Sequence, residues 1–216
     1  MVLPELFLAS NSPRRRQLLN WCGWQLDVHP VNIDETPLPG ERPQPYVLRL
    51  ARSKAQAAMQ IAAAGRVVVA ADTIVADGDD LLGKPANAAQ AGEMLRRLRG
   101  RTHQVYTAIA AGFAPDGILF SDLCASQVPM RGYSEDEMAA YIASGDPLDK
   151  AGAYAIQNQT FHPVENFAGC YASVMGLPLC HLARLLTRLG GGVPPDVPHI
   201  CQQKLEYACP LWREIN

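Results

Sequence analysis

Arg66 to Pro85 reads RVVVAADTIVADGDDLLGKP and places one acid inside an apolar stretch. Val67 to Ala71 run into Asp72 and Thr73 before Ile74 and Val75 resume the run. A short continuous Val-rich stretch is the pattern of a buried strand, and Asp77-Gly78 between two such runs predicts a hairpin. A carboxylate in such a strand gives up its hydration, so it requires a cation, a metal or several donors beside it. The hairpin returns Lys84 toward Asp72, and an acid and an amine fixed at a sheet end can hold a charged substrate. The same residues also fit a blander arrangement, with Asp72 opening a turn and Lys84 solvated on a rim.

Further polar groups sharpen the chemistry. In SNSPRRRQLLNWCG, Ser10 to Gly23, Ser12 is a helix cap and Pro13 suits the first helical position. Arg14, Arg15 and Arg16 then crowd the first turn, where cations oppose the helix dipole. Free amides, hydroxyls such as Ser10 and guanidinium groups together suit phosphate. Asp34 and Glu35 precede the Pro-rich loop Pro37 to Pro45; adjacent acids there could ligate a divalent cation, although solvated loop acids have the same pattern. Lys54 falls on the apolar stripe Val47, Leu50, Ala51, Ala55, Ala58, Ile61, Ala62 of a helix predicted over Pro45–Ala64. Its small neighbours leave little to snorkel past, so an inward ammonium awaiting an anion is expected. Asp149 and Lys150 lie in a loop of small residues, and Gln157 closes an extended Tyr154–Gln157 segment. A glutamine offers both donor and acceptor, as reading a nucleobase edge requires, although a surface amide has the same spacing.

These residues need a scaffold of strands and helices. Leu6–Ala9 and Trp24–Val31 read as strands, and His103–Phe113 and Ile118–Met130 as a hairpin joined by Pro115-Asp116-Gly117. Asn87 caps a helix ending near Leu98, Ser134 to Glu137 is a capping box, and Gly176-Leu177-Pro178 opens a leucine-faced helix to Leu189. Residues 1–190 form one expected domain; the triple glycine from Gly190 leads into a linker and C-terminal extension over 191–216. A net charge of -2 gives no nucleic-acid footprint, and no stretch reaches the roughly 18 apolar residues of a membrane helix. The opening MVLPELFLAS has no basic leader, and six scattered cysteines lack a CxxC pair, so reduced thiols in a cytoplasm are expected. Cations gathered around one or two acids fit a nucleoside triphosphate with its metal, yet no GxxxxGK[ST] marks a P-loop.

The segments LFLASNSPRRRQLL, LARSKAQA, VVVAADTIV, LLGKP, AGEMLRRLRGRTHQVYTAI, DKAGAYAIQ and VMGLPL, in this order over Leu6 to Leu189, resemble the Maf family of nucleoside triphosphate pyrophosphatases. The resemblance implies an α/β fold like that of inosine triphosphatases, an elongated mixed sheet with flanking helices and two lobes around a central cleft, as a homodimer. It implies hydrolysis between the α and β phosphates with Mg²⁺ or Mn²⁺. By position, Asp72 matches the proton acceptor and shares the metal with Glu35, and Lys54 and Lys84 match residues around metal and phosphates. Ser10, Arg14 and Arg15 match the phosphate-binding helix start, and Arg14, Thr73 and Gln157 the specificity positions of the dTTP/UTP subgroup. A sister subgroup prefers 7-methyl-GTP, and the family is also linked to regulation of septum formation, which makes a nucleotide sensor the alternative. Asn158 stands where a glycine usually follows the glutamine, and Met130 where phenylalanine is common.

Overall fold

The computed structural model describes residues 3–115 and 117–212. The strands are β1 (Leu6–Leu8), β2 (Leu26–Val28), β3 (Val67–Asp77), β4 (Asp80–Leu82), β5 (Thr102–Phe113) and β6 (Leu119–Pro129). They form one mixed sheet in the order β2-β1-β3-β5-β6, with β4 added to β3. β1 is parallel to β2 and β3, so the chain must cross over between them. Helix α1 (Pro13–Trp21) and helix α2 (Pro43–Met59) are those crossovers. β3, β5 and β6 are joined antiparallel, and Asp77 pairs with Asp80 around the expected Asp-Gly turn. Asp116, in the second hairpin's turn, lies outside the described residues.

Alternation along the strands feeds two cores. Leu6, Leu8, Val67, Val69, Ala71 and Val75 point into the larger one. It is covered by α1, α3 (Ala88–Leu98), α4 (Glu135–Ala143), α5 (Tyr171–Met175), α6 (Leu179–Arg188) and α7 (Val197–Leu205). Phe7, Ala9, Val68, Ala70 and Ile74 point the other way, onto α2. Asn87 caps α3, and both hydrogen bonds of the Ser134–Glu137 capping box are present at α4. No helix among the described residues is long and apolar enough to cross a membrane.

Three local expectations change. α2 opens two residues earlier than its pattern implied and ends at Met59, where Ile61 N–H and Ala62 N–H both turn back onto the Ala58 carbonyl. Ile61 therefore leaves the stripe and is 62% exposed. After two short 3-10 turns at Asp146–Asp149 and Ala151–Ala153, Tyr154 is extended as expected, but the segment does not stay extended to Gln157: Ile156 and Gln157 form a turn. Beyond Gly190, the Val193–Pro198 stretch runs into α7, whose Val197 and Cys201 are buried in the larger core. The Tyr207 hydroxyl lies 3.2 Å from the Phe167 carbonyl and 3.0 Å from that of Gly169.

One break in the sheet matters most. β1 accompanies β3 only to Val69, and β4 joins the hairpin only from Val75. Between them, residues 70–74 of β3 have no strand partner on that edge among the described residues, while β5 pairs unbroken along the other. Asp72 and Thr73 sit in this gap.

Candidate active site

Alternation sends the two polar neighbours to opposite faces of the sheet. Asp72, in phase with Ala70 and Ile74, turns toward α2 and is 9% exposed. Lys54 meets it there. Its ammonium donates to Asp72 Oδ1 at 2.5 Å and lies 2.7 Å from Glu35 Oε1. The expectation of an ammonium awaiting an anion is therefore corrected: Lys54 already bridges two carboxylates. The small residues Ala51, Ala55 and Ala58 are fully buried against the sheet, which brings α2 close enough for that contact. Lys54 engages only Oδ1, leaving Asp72 Oδ2 without a hydrogen bond to any described residue.

The loop carrying Glu35 is fastened to α2. The Tyr46 hydroxyl donates to the Glu35 carbonyl at 2.7 Å, and burial together with the Asp72 and Glu35 charges raises the Tyr46 pKa. Arg49 grips Glu41 through two hydrogen bonds of 2.7 and 2.6 Å and also reaches the Thr36 carbonyl at 3.1 Å. These anchors hold Glu35 over Lys54 although its own side chain is 56% exposed.

Thr73, in phase with Ala71 and Val75, faces the start of α1. The Ser12 cap and Pro13 set that helix as expected, and Arg15 turns inward from its first turn. Arg15 Nε donates to the Gly176 carbonyl at 2.9 Å, Nη1 to Ser10 Oγ at 3.1 Å and Nη2 to Thr73 Oγ1 at 3.4 Å. All three acceptors are neutral. Burial lowers the Arg15 pKa, with the Asp72 charge opposing it. A partly desolvated guanidinium that touches no carboxylate is costly unless an anion completes it. Gly176 ends α5 at φ 117, a backbone angle that favours glycine. Arg14 reaches Asp149 at 3.4 Å, and Arg16 lines a separate shallow groove with Asn20 and Trp21.

The remaining candidates divide. The β3–β4 register, continued past Leu82, sets Lys84 across from Thr73; it is exposed and unpaired among the described residues. Lys150 is tied within its own loop, to the Asp146 carbonyl at 2.6 Å, Asp146 Oδ1 at 2.9 Å and Asp149 Oδ1 at 2.6 Å. Gln157 is half-buried, with no hydrogen bond to a described residue. Asn158 turns to the loop instead: its amide donates to Asp146 at 3.1 Å, and its oxygen accepts Thr160 N–H and Phe161 N–H. Met130 is buried and bridges to Val164.

Ser10, Arg14, Arg15, Glu35, Lys54 and Asp72 line one cleft of about 700 Å³, and Thr73, Lys84, Asp149, Lys150 and Gln157 line it as well. Sequence reasoning missed Tyr46, the Gly176 carbonyl and Thr107, whose hydroxyl backs Thr73 at 3.0 Å. Only the GLP punctuation hinted at Gly176. No group of three or more His, Cys, Asp or Glu among the described residues is arranged to hold a metal. Glu35 and Asp72 nevertheless supply the hard oxygen donors that Mg²⁺ takes in ones and twos, with phosphate oxygens and water completing the set. The donor chemistry fits a cation that arrives with a phosphate.

A family model described as Maf-like protein matches residues 5–189. The dTTP/UTP pyrophosphatase of Anaeromyxobacter dehalogenans (strain 2CP-C) is 44% identical over 197 residues, covering 90% of this chain and 99% of its own. That of Thermomicrobium roseum is 45% identical over 213 residues, covering 95% and 93%. That of Dechloromonas aromatica is 42% identical over 198 residues, covering 86% and 98%. Among solved structures, a HAM1 protein from Coxiella burnetii aligns with a TM-score of 0.46 at 15% identity, covering 86% of this chain and 100% of that one. With the motifs in order, the family pattern running through residues 5–189 and relatives matching along nearly their whole length, the chain belongs to the Maf family.

Proposed function

We propose that this protein hydrolyses dTTP and UTP to the nucleoside monophosphate and pyrophosphate, with Asp72 as proton acceptor. The observation that carries the reading is the pairing of chemistries around one strand edge. An acid with a free oxygen faces the cleft on one side of β3, and a half-buried guanidinium touching no carboxylate faces it on the other. The relatives named for dTTP and UTP support the choice of nucleotides.

In the proposed reaction water attacks the α phosphorus in line with the departing pyrophosphate. Asp72 Oδ2 takes the water's proton, while Lys54 holds Oδ1 and fixes the carboxylate's orientation. Arg15, Arg14 and Lys84, with the Ser10 hydroxyl, bind the phosphate chain along the open edge of β3. A divalent cation, Mg²⁺ or Mn²⁺, held by Glu35 and Asp72 would neutralise oxygens on the reacting phosphate. Lys54 then keeps the two carboxylates together in the absence of that charge. Gln157 offers a donor and an acceptor to the carbonyl and imide N–H of a pyrimidine. Asn158 does not compete for the base, because its side chain is engaged in the turn. Lys150 and Asp149 shape the loop beside Arg14. The homodimer implied by the family resemblance belongs to the same proposal, read by mass in solution.

The test is a competition. Equal concentrations of UTP, dTTP, ATP, GTP and 7-methyl-GTP meet limiting enzyme with Mg²⁺, and the monophosphates are resolved by chromatography. UMP and dTMP are expected first. A purine displaced by about 1 Å loses on the order of a hundredfold in rate. If 7-methyl-GMP appears first, the role of Gln157 is wrong; if no nucleotide releases pyrophosphate, the hydrolase reading falls and a sensor replaces it.

A further inference from the structure

Behind the cleft, Arg15 closes a ring of hydrogen bonds that contains a residue so far without a role. Thr107 on β5 is fully buried and is the cross-strand partner of Thr73. Its hydroxyl lies 2.8 Å from the Ser173 carbonyl and 3.0 Å from Thr73 Oγ1. Thr73 Oγ1 lies 3.4 Å from Arg15 Nη2. The Ser173 carbonyl also accepts Gly176 N–H at 2.8 Å, and the Gly176 carbonyl accepts Arg15 Nε at 2.9 Å. The path from Arg15 through Thr73, Thr107, Ser173 and Gly176 thus returns to Arg15.

The direction of every bond in this ring is forced. A carbonyl only accepts, so Thr107 must give its single proton to Ser173. Thr107 then has only lone pairs for Thr73, so Thr73 must donate to it. Thr73 in turn has only lone pairs for Arg15, and Arg15 has only protons to give. No alternative assignment satisfies all three contacts.

Two consequences face the cleft. Thr73 cannot donate to a ligand, so the ligand group beside it is a donor, such as a sugar hydroxyl or an imide N–H, and not a phosphate oxygen. Of the five N–H groups of Arg15, those to Gly176, Ser10 and Thr73 are engaged, which leaves one on Nη1 and one on Nη2. That remainder gives Arg15 two N–H donors, among contacts to the described residues, that an oxyanion can accept.

We propose that Thr107 is a positioning residue: it fixes the hydrogen-bond polarity of Thr73 and, through the ring, holds the Arg15 guanidinium aimed at the ligand's phosphate. The assignment rests on the reading of the cleft as a triphosphate site. Without the Thr107 hydroxyl, the Thr73 proton is free to turn toward Arg15 or the cleft, where it repels the guanidinium or mispairs with the ligand. The loss falls on binding, because Asp72 lies on the other face of β3 and its contacts are untouched.

The experiment compares the wild type with Thr107→Val, which keeps the branched shape that strands accept, and with Thr107→Ser, which restores the hydroxyl. Calorimetric titration with pyrophosphate reads binding without turnover, and steady-state kinetics with UTP separate KM from kcat. Thr107→Val is expected to weaken pyrophosphate binding and raise KM by about five- to tenfold, the loss of roughly one net hydrogen bond, with kcat changed by less than about twofold. Thr107→Ser should recover both to within about twofold. Thr107→Ala reads the same quantities if the valine variant does not fold. Wild-type KM and pyrophosphate affinity in a folded variant lacking the hydroxyl would overturn the proposal, as would a serine variant no better than the valine one. Absence of UTP turnover in the wild type, with pyrophosphate still bound and the variants ordered as above, would strike the proposed reaction and leave Thr107 in place.

Discussion

Lys54→Met tests whether the ion-paired centre belongs to the fold as well as to the reaction. Apolar patterning alone predicts that removing an ammonium from an apolar helix stripe leaves stability unchanged or raises it. The structure reverses that sign. Lys54 and Asp72 side chains are each 12% exposed and meet at 2.5 Å, so methionine leaves a largely desolvated carboxylate without its cation. Removing one partner of a buried pair costs ~3–5 kcal/mol. Asp72 keeps one oxygen toward the cleft, where water can reach it, and the Arg15 charge lies nearby, so about 2–3 kcal/mol is the better figure here. Glu35 is more than half exposed and adds little. At ~2–4 °C per kcal/mol for a chain of this size, the midpoint should fall by roughly 5–10 °C. The assay is thermal unfolding near neutral pH, followed by circular dichroism, on Lys54→Met, Asp72→Asn and the double variant. The double variant should recover most of the loss, because it removes the stranded charge, giving a coupling of about 2 kcal/mol. A single variant melting within a degree or two of the wild type would refute the reasoning.

Asp72→Asn alone should keep the fold and nucleotide binding, since Lys54 retains Glu35, while pyrophosphate release falls by at least about a hundredfold; near-normal release would remove Asp72 from its role. A pH effect is expected on β6, where Asp122 accepts from His181 Nδ1 at 2.9 Å and from Arg184. Burial lowers the His181 pKa, but the Asp122 hydrogen bond and neighbouring Cys124 outweigh it and raise it to about 9. A raised folded pKa stabilises fully below the unfolded value of about 6.5, and that stabilisation disappears as pH climbs through 9, by no more than ~3 kcal/mol. The melting difference between the wild type and Asp122→Asn should therefore be widest near pH 6 and narrow toward pH 10; a gap constant across that range would show that His181 does not titrate against Asp122.

Legibility followed the distance over which each interaction acts. Ser12 with Pro13, Asn87, and Ser134 with Glu137 could be read because a cap and its partner lie within one turn. Asp72 could be read because an acid inside a Val-rich strand violates the pattern around it. Its partner's state could not: whether Lys54 meets an internal carboxylate or a ligand depends on how closely α2 approaches the sheet. The holders of Arg15 were illegible for a plainer reason. They lie 5, 58 and 161 residues away, and one is a main-chain carbonyl that any residue would provide. Tyr46 and Arg49 look like ordinary helix residues until the Glu35 loop folds back over them. Tyr154 is extended as expected, whereas Ile156 and Gln157 turn, and no Gly or Pro within Tyr154–Thr160 marks that bend in the sequence.

The interruption along β3 acts as a ruler. Five residues without a strand partner on that edge among the described residues, at roughly 3.3 Å each, open about 16 Å of backbone. That span is set by where β1 stops and where β4 starts. Side-chain substitutions can therefore alter which base or sugar is accepted without changing the length of molecule the cleft receives. Insertions tell a different story: each residue that extends β1 past Leu8, or carries β4 past Leu82, would shorten the open edge by about 3.3 Å from that end. On this sheet, point mutation can change recognition, while reach changes only where the strand ends themselves move.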